Sequence, residues 1–264
     1  MSRYALVSVF KALAFWAIFQ CLLISGVFSF LEFVPRWATG MLVGLLTSAL
    51  MMAATWVFLK YDELTLQDLG LVPKKHSANR FIVSLLTGMV LFGLIYSAFY
   101  ALTPINVYAN ENVNIFNTLV LILLLFIVLS LMEEILFRGY FMKKIESVIG
   151  IRASIYITSI TFGLYHGISV DSITGPAIWG LWYGLLTYWS KGLAIPIGFH
   201  AGVNVTQGLF GEKDKWIDGI WSFELSESIT LFTVGQIATA IQFALLVFGL
   251  TLIEYYLRIV RPRH

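Results

Sequence analysis

Apolar residues in this chain come in long, nearly unbroken runs instead of alternating or forming a helical stripe. Eight runs reach the length needed to cross about 30 Å of hydrocarbon as a helix: Ala5–Phe30, Ala38–Leu59, Phe81–Leu102, Ile115–Met142, Ala153–Val170, Ile173–Ser190, Leu193–Phe210 and Ile229–Leu257. Turn residues fall between them, at Pro35, in the 62–80 loop with Pro73, at 104–114, at 150–152 and in the acidic 211–227 stretch. The pattern predicts an all-α, polytopic membrane helix bundle with about eight transmembrane helices, forming a single integral-membrane domain over residues 1–264. No soluble domain, internal repeat or low-complexity tract interrupts it, which disfavours carriers built from inverted repeats. The first run is longer than a signal-peptide core and no small-residue cleavage pattern follows Ser29, so it is read as retained.

Composition agrees with a multi-pass membrane location, the cytoplasmic membrane if the source is bacterial. Hydrophobic residues make up 59% of the chain and charged ones 12%, against about 25% charged in a soluble domain. A net charge of +2 carries little information, but its distribution does. With the N-terminus in the cytoplasm, all 17 lysines and arginines except Arg36, Lys213 and Lys215 fall on the cytoplasmic side. The positive-inside rule then puts both termini there. Cys21 is alone in an apolar run, so it is expected to be a buried packing residue and excludes a disulfide framework. The lipid bilayer is thus a partner, whereas nucleic acid is not expected, and the lack of a glycine-rich phosphate loop argues against a nucleotide.

Within this apolar chain, Glu133, Glu134 and Arg138 follow a run from Leu119 to Met132 that has no charge at all. A charge at the bilayer centre costs about 2.5–3.5 kcal/mol on insertion scales, so such residues mark functional sites. Glu134 and Arg138 have the i,i+4 spacing and polarity of a helical ion pair, while Glu133 points about 100° away. A helix end snorkelling to the interface accounts for Arg138 and Lys143 but not for Glu133.

Of the four histidines, only His166 and His200 fall in predicted spans; His76 is in a loop and His264 in the tail. His200 and Asn204 share a helix face. Measured at about 1.5 Å per residue from Lys143, Arg152 and Lys191, Glu133 lies roughly 15 Å deep, His166 roughly 21 Å and His200 roughly 13 Å. Three segments therefore carry polar groups to a similar level. Pro196 is expected to kink its span just before His200, and the pairs Gly40/Gly44, Gly163/Gly167, Gly180/Gly184 and Gly198/Gly202 have the spacing of close helix approach.

A glutamate, two histidines and an asparagine in a low-dielectric pocket suit hydrolysis. Two schemes fit the residue types. In one, Glu133 acts as general base on a water that His166 also holds, and His200 with Asn204 donates to the oxyanion. In the other, Glu133, His166 and His200 hold one divalent metal ion, such as zinc, with an open position for water. The chain has no H-E-x-x-H and no G-x-S-x-G, which disfavours zincin and serine-elbow mechanisms.

Glu133-Glu134-Ile135-Leu136-Phe137-Arg138 fits E-E-x-x-x-R, Phe162 to His166 fits F-x-x-x-H, and His200 to Asn204 fits H-x-x-x-N. In this order they resemble the CPBP family of intramembrane proteases, the CAAX prenyl protease and bacteriocin-processing group, also called Abi proteins. The resemblance covers roughly residues 115–210, taken as the catalytic core. It implies an intramembrane endopeptidase acting on a peptide or membrane-protein substrate, with catalytic Glu133, His166, His200 and Asn204 and supporting Glu134 and Arg138. Members are often labelled metalloproteases, and a metal-free glutamate mechanism is the other option, so the cofactor is none or one divalent ion. The competing readings are a non-catalytic immunity or scaffold protein of the same fold and a proton-coupled transporter using Glu133, His166 and His200 as a relay.

Overall fold

A computed structural model of the protein describes residues 3–31, 33–213, 215–226 and 232–259. The helices are α1 (Arg3–Ile24), α2 (Arg36–Asp62), α3 (Ser77–Leu102), α4 (Ile115–Glu134), α5 (Met142–His166), α6 (Val170–Ser190), α7 (Ala194–Leu209) and α8 (Val234–Ile259). Each expected apolar run overlaps at least one of them, although Ile115–Met142 runs through α4 to the first residue of α5, and Ala153–Val170 begins inside α5 and ends at the first residue of α6. Ile229, the expected start of the last run, and Arg261, Arg263 and His264 lie outside the described residues. Five helical stretches are long and apolar enough to cross a membrane: Arg3–Leu23, Arg36–Asp62, Ser77–Leu102, Ile115–His166 and Val234–Ile259.

The 115–166 stretch is not one straight rod. Asn114 caps the start of α4 by accepting from the Asn117 N–H at 3.0 Å. Between α4 and α5 the backbone widens into a π-helical turn, Ile135–Phe141, in which Gly139 leaves helical geometry at φ −76°, ψ −118°. Gly150, at φ +82°, makes the second break, where the sequence places a linker.

With 16 residues, α7 is about 24 Å long and is the most enclosed helix. It packs along α3 and α4 and reaches α6. The α3 contact is backbone on backbone: a Cβ on Gly198 would lie 2.3 Å from the Phe81 carbonyl oxygen, and one on Gly202 would lie 2.1 Å from that of Leu85. Only glycine allows this approach, and it sets the position of His200 between the two.

Three expectations need correction. Pro196 is the third residue of α7, in the first turn, where a missing N–H leaves no broken bond. It therefore does not break the helix, and the proline in a helix interior is Pro176 of α6. Cys21 is exposed on α1, not buried. The fold is also not purely helical, because β1 (Ile105–Ala109) pairs antiparallel with β2 (Trp221–Leu225), with Val107 opposite Phe223. This ribbon joins the loop after α3 to the loop before α8, and Phe223 stacks on Phe210 with centroids 5.1 Å apart at 6°.

At the opposite end a buried ionic knot ties four elements together. Asp62 at the end of α2 pairs with Lys11 of α1 and with Lys144 of α5 at 2.9 Å, and accepts from the Tyr140 hydroxyl of the π turn at 2.7 Å. The knot anchors the stretch that follows Glu134.

Candidate active site

Glu133 and Glu134 close α4 immediately before the π turn, and both approach one imidazole. His200 Nδ1 donates to Glu134 Oε1 at 2.9 Å, and His200 Nε2 lies 3.4 Å from Glu133 Oε2 without hydrogen-bond alignment. Glu134 is fully buried and also accepts from Arg138 Nη1 at 3.3 Å. It thus bridges Arg138 and His200, a larger role than neutralising Arg138 alone.

Arg138 is enclosed by one carboxylate, one carbonyl and aromatic rings. Its Nη2 donates to the Gly180 carbonyl at 3.1 Å, and its guanidinium carbon stands 4.6 Å from the Phe162 ring centroid and 5.3 Å from that of Tyr183. Tyr183 in turn stacks on His200, with centroids 4.2 Å apart at 17°. Phe162 meets the His166 and His200 rings edge-on at 4.7 and 5.7 Å. The F-x-x-x-H phenylalanine therefore separates the two imidazoles and covers the arginine.

His166 ends α5 before Gly167, whose φ of +151° stops the helix. Its Nδ1 is 2.8 Å from the Phe162 carbonyl oxygen. A carbonyl can only accept, so Nδ1 carries the hydrogen and neutral His166 presents a lone pair on Nε2. Asn204 Nδ2 makes a long contact of 3.4 Å with Ser130 Oγ of α4. His166, His200 and Asn204 all line one cavity of about 230 Å³, together with Phe92 of α3, Trp179 of α6 and Ile241 of α8. Glu133 lies just behind this wall, beside His200 and facing Tyr165.

The cluster keeps unsatisfied polar atoms. Among the described residues, Glu133 Oε2, Glu134 Oε2 and Arg138 Nε are buried without a hydrogen-bond partner in the protein. Glu134 and Arg138 form a buried ion pair, and Lys213 faces the second carboxylate, Glu133, from the cavity wall.

The metal scheme fits these positions poorly. Among the described residues no group of three or more His, Cys, Asp or Glu side chains converges in a way that could hold an ion. The ring of His166 lies across Phe162 from that of His200. The expected set Glu133, His166, His200 is not assembled as a ligand triad.

Tyr183, Tyr165 and Ser130 were not singled out in the sequence. Aromatic and serine residues in an apolar helix carry no signal until the fold shows what they touch. Lys213 is the other unanticipated member: it comes from the loop after α7 into the cavity wall. Burial pulls the Lys213 amine below the usual lysine range, against the attraction of Glu133 and Glu212.

Fold and site together define a polytopic helical protein with a carboxylate–imidazole centre buried in its bundle. Residues 115–206 match the family model described as type II CAAX prenyl endopeptidase Rce1-like. The matched segment carries all three motifs and is similar to the CPBP, or CAAX protease, family. A search of curated proteins finds no match to the chain.

Proposed function

We propose that the protein is an intramembrane endopeptidase with eight transmembrane helices and both termini in the cytoplasm, cutting a peptide or a membrane-protein segment inside the bundle. The observation that carries this reading is the clamping of His200 between Glu134 at 2.9 Å and Glu133 at 3.4 Å, in the wall of a cavity it shares with His166 and Asn204.

Water enters beside Glu133, and His166 Nε2 accepts one of its hydrogens and orients it. Glu133 takes the other proton as the water oxygen bonds to the scissile carbonyl carbon. The carbonyl oxygen becomes an oxyanion and receives hydrogen bonds from His200 Nε2–H and Asn204 Nδ2–H. Glu134 stands behind His200 Nδ1 and is itself held by Arg138, which fixes the direction of the imidazole. Collapse breaks the C–N bond as Glu133 returns its proton to the leaving amine. No step needs a metal ion, in keeping with the scattered donor set.

The test is Asn204→Ala in proteoliposomes with a quenched peptide library. Loss of one oxyanion donor lowers kcat by about 10²–10³-fold with KM little changed. A rise in KM alone at unchanged kcat would mean that Asn204 only binds substrate, and the oxyanion assignment would fall.

A further inference from the structure

His200, Asn204 and Gln207 are spaced four and three residues apart on α7, so they form one polar stripe along the cavity. Past the end of that helix, Lys213 joins the same wall. The rest of the lining is largely aromatic and aliphatic, from α3, α6 and α8. Among the described residues Lys213 is the only lysine or arginine in this lining, and none of them makes an ion pair with it. Glu212 beside it is engaged by the Gln207 amide, whose Nε2 donates to Oε2 at 3.2 Å. A half-buried ammonium with no ion-pair partner among the described residues, on the wall of an apolar cavity it shares with His200 and Asn204, is suited to hold an anion.

We propose that Lys213 is the substrate-anchoring cation of this cavity: its ammonium binds a carboxylate of the peptide, either a free C-terminus or an acidic side chain, and so sets how far the chain enters. This rests on the protease reading for the direction of the peptide, but binding can be measured without cleavage. Lys213 is a positioning residue, since it acts through the substrate backbone and not on the reacting atoms. The titratable groups facing it are Glu133 from α4, His166 from α5, His200 from α7 and Glu212 of its own loop. Burial already disfavours the charged amine, so anchoring weakens with rising pH earlier than for a surface lysine.

The experiment uses the full chain carrying Glu133→Gln, in phosphatidylcholine nanodiscs, with three fluorescent peptides of one apolar sequence: free C-terminus, amidated C-terminus, and amidated with one internal glutamate. At least one carboxylate peptide should bind about ten- to hundred-fold tighter than the neutral one, the worth of a charge-assisted hydrogen bond. Which of the two does so identifies the carboxylate. Lys213→Met should erase the difference, and Lys213→Arg should keep most of it. In the enzyme with Glu133 intact, Lys213→Met should raise KM for the preferred peptide with little change in kcat. Equal binding of all three peptides, a preference that survives Lys213→Met, or no saturable binding of any peptide overturns the proposal. So does a preference abolished by adding phosphatidylglycerol, which would make a lipid headgroup the occupant. Failure of cleavage with carboxylate discrimination intact would sink the protease reading instead.

Discussion

Two neighbouring carboxylates in one helix turn should respond in opposite ways to the same isosteric change. Glu134 is fully buried and accepts from both Arg138 at 3.3 Å and His200 at 2.9 Å. Glutamine there removes the charge that balances a buried guanidinium, and its single carbonyl cannot serve both donors as well. Breaking a buried pair by removing one partner costs about 3–5 kcal/mol, and two charge-assisted bonds at about 1.5–3 kcal/mol each give a similar figure. Glu133 differs: its Oε2 is buried, has no aligned hydrogen bond, and adds negative charge to a cluster already carrying Glu134. Glutamine there keeps the shape and relieves the repulsion from Glu134 at an oxygen that has no hydrogen bond, so stability changes by no more than about 1 kcal/mol. Reversible unfolding in mixed micelles, followed by tryptophan fluorescence, measures both variants against the parent. Glu134→Gln should lose several kcal/mol while Glu133→Gln loses none. Equal losses would refute the division of labour between the two glutamates.

Arg138→Lys keeps the charge but gives up the fork that spans Glu134 and Gly180 and the face of Phe162; it should cost about 2 kcal/mol in the same unfolding measurement. Gly202→Ala places a Cβ about where the Leu85 carbonyl oxygen already is, at 2.1 Å, so α3 and α7 must part, at a cost of about 1–3 kcal/mol. Gly93→Ala on α3, with nothing within 4 Å, should be neutral or stabilising in the same melts. Tyr183→Leu removes the ring stacked on His200; kcat should drop more than KM changes, and an imidazole nitrogen NMR signal should show a less uniform His200.

Five helical stretches were legible because each is long and apolar enough to cross a bilayer, whatever the neighbouring sequence. The residues of the candidate site stand out for the related reason that ionisable groups in such runs are rare. What could not be read were relations between segments. Spacing pairs Glu134 with Arg138, but nothing local says that Glu134 also reaches His200 from 66 residues away. Tyr183 and Ser130 are ordinary helix residues until α6, α4 and α7 are side by side. The β1–β2 ribbon was hidden because its two short segments were read as loops, and each becomes a strand only when the other is opposite. Pro196 misled because the start of α7 was not marked: a proline two residues later would have bent the helix, whereas in the first turn it does not.

Cleavage of a mixed quenched peptide library by the wild type and by Glu133→Gln, each reconstituted in vesicles, tests the central claim most directly. The account predicts cleavage by the wild type, falling by about 10²–10⁴-fold on loss of the general base, with the variant folded as its unfolding curve shows. Cleavage by folded Glu133→Gln at the wild-type rate would contradict it.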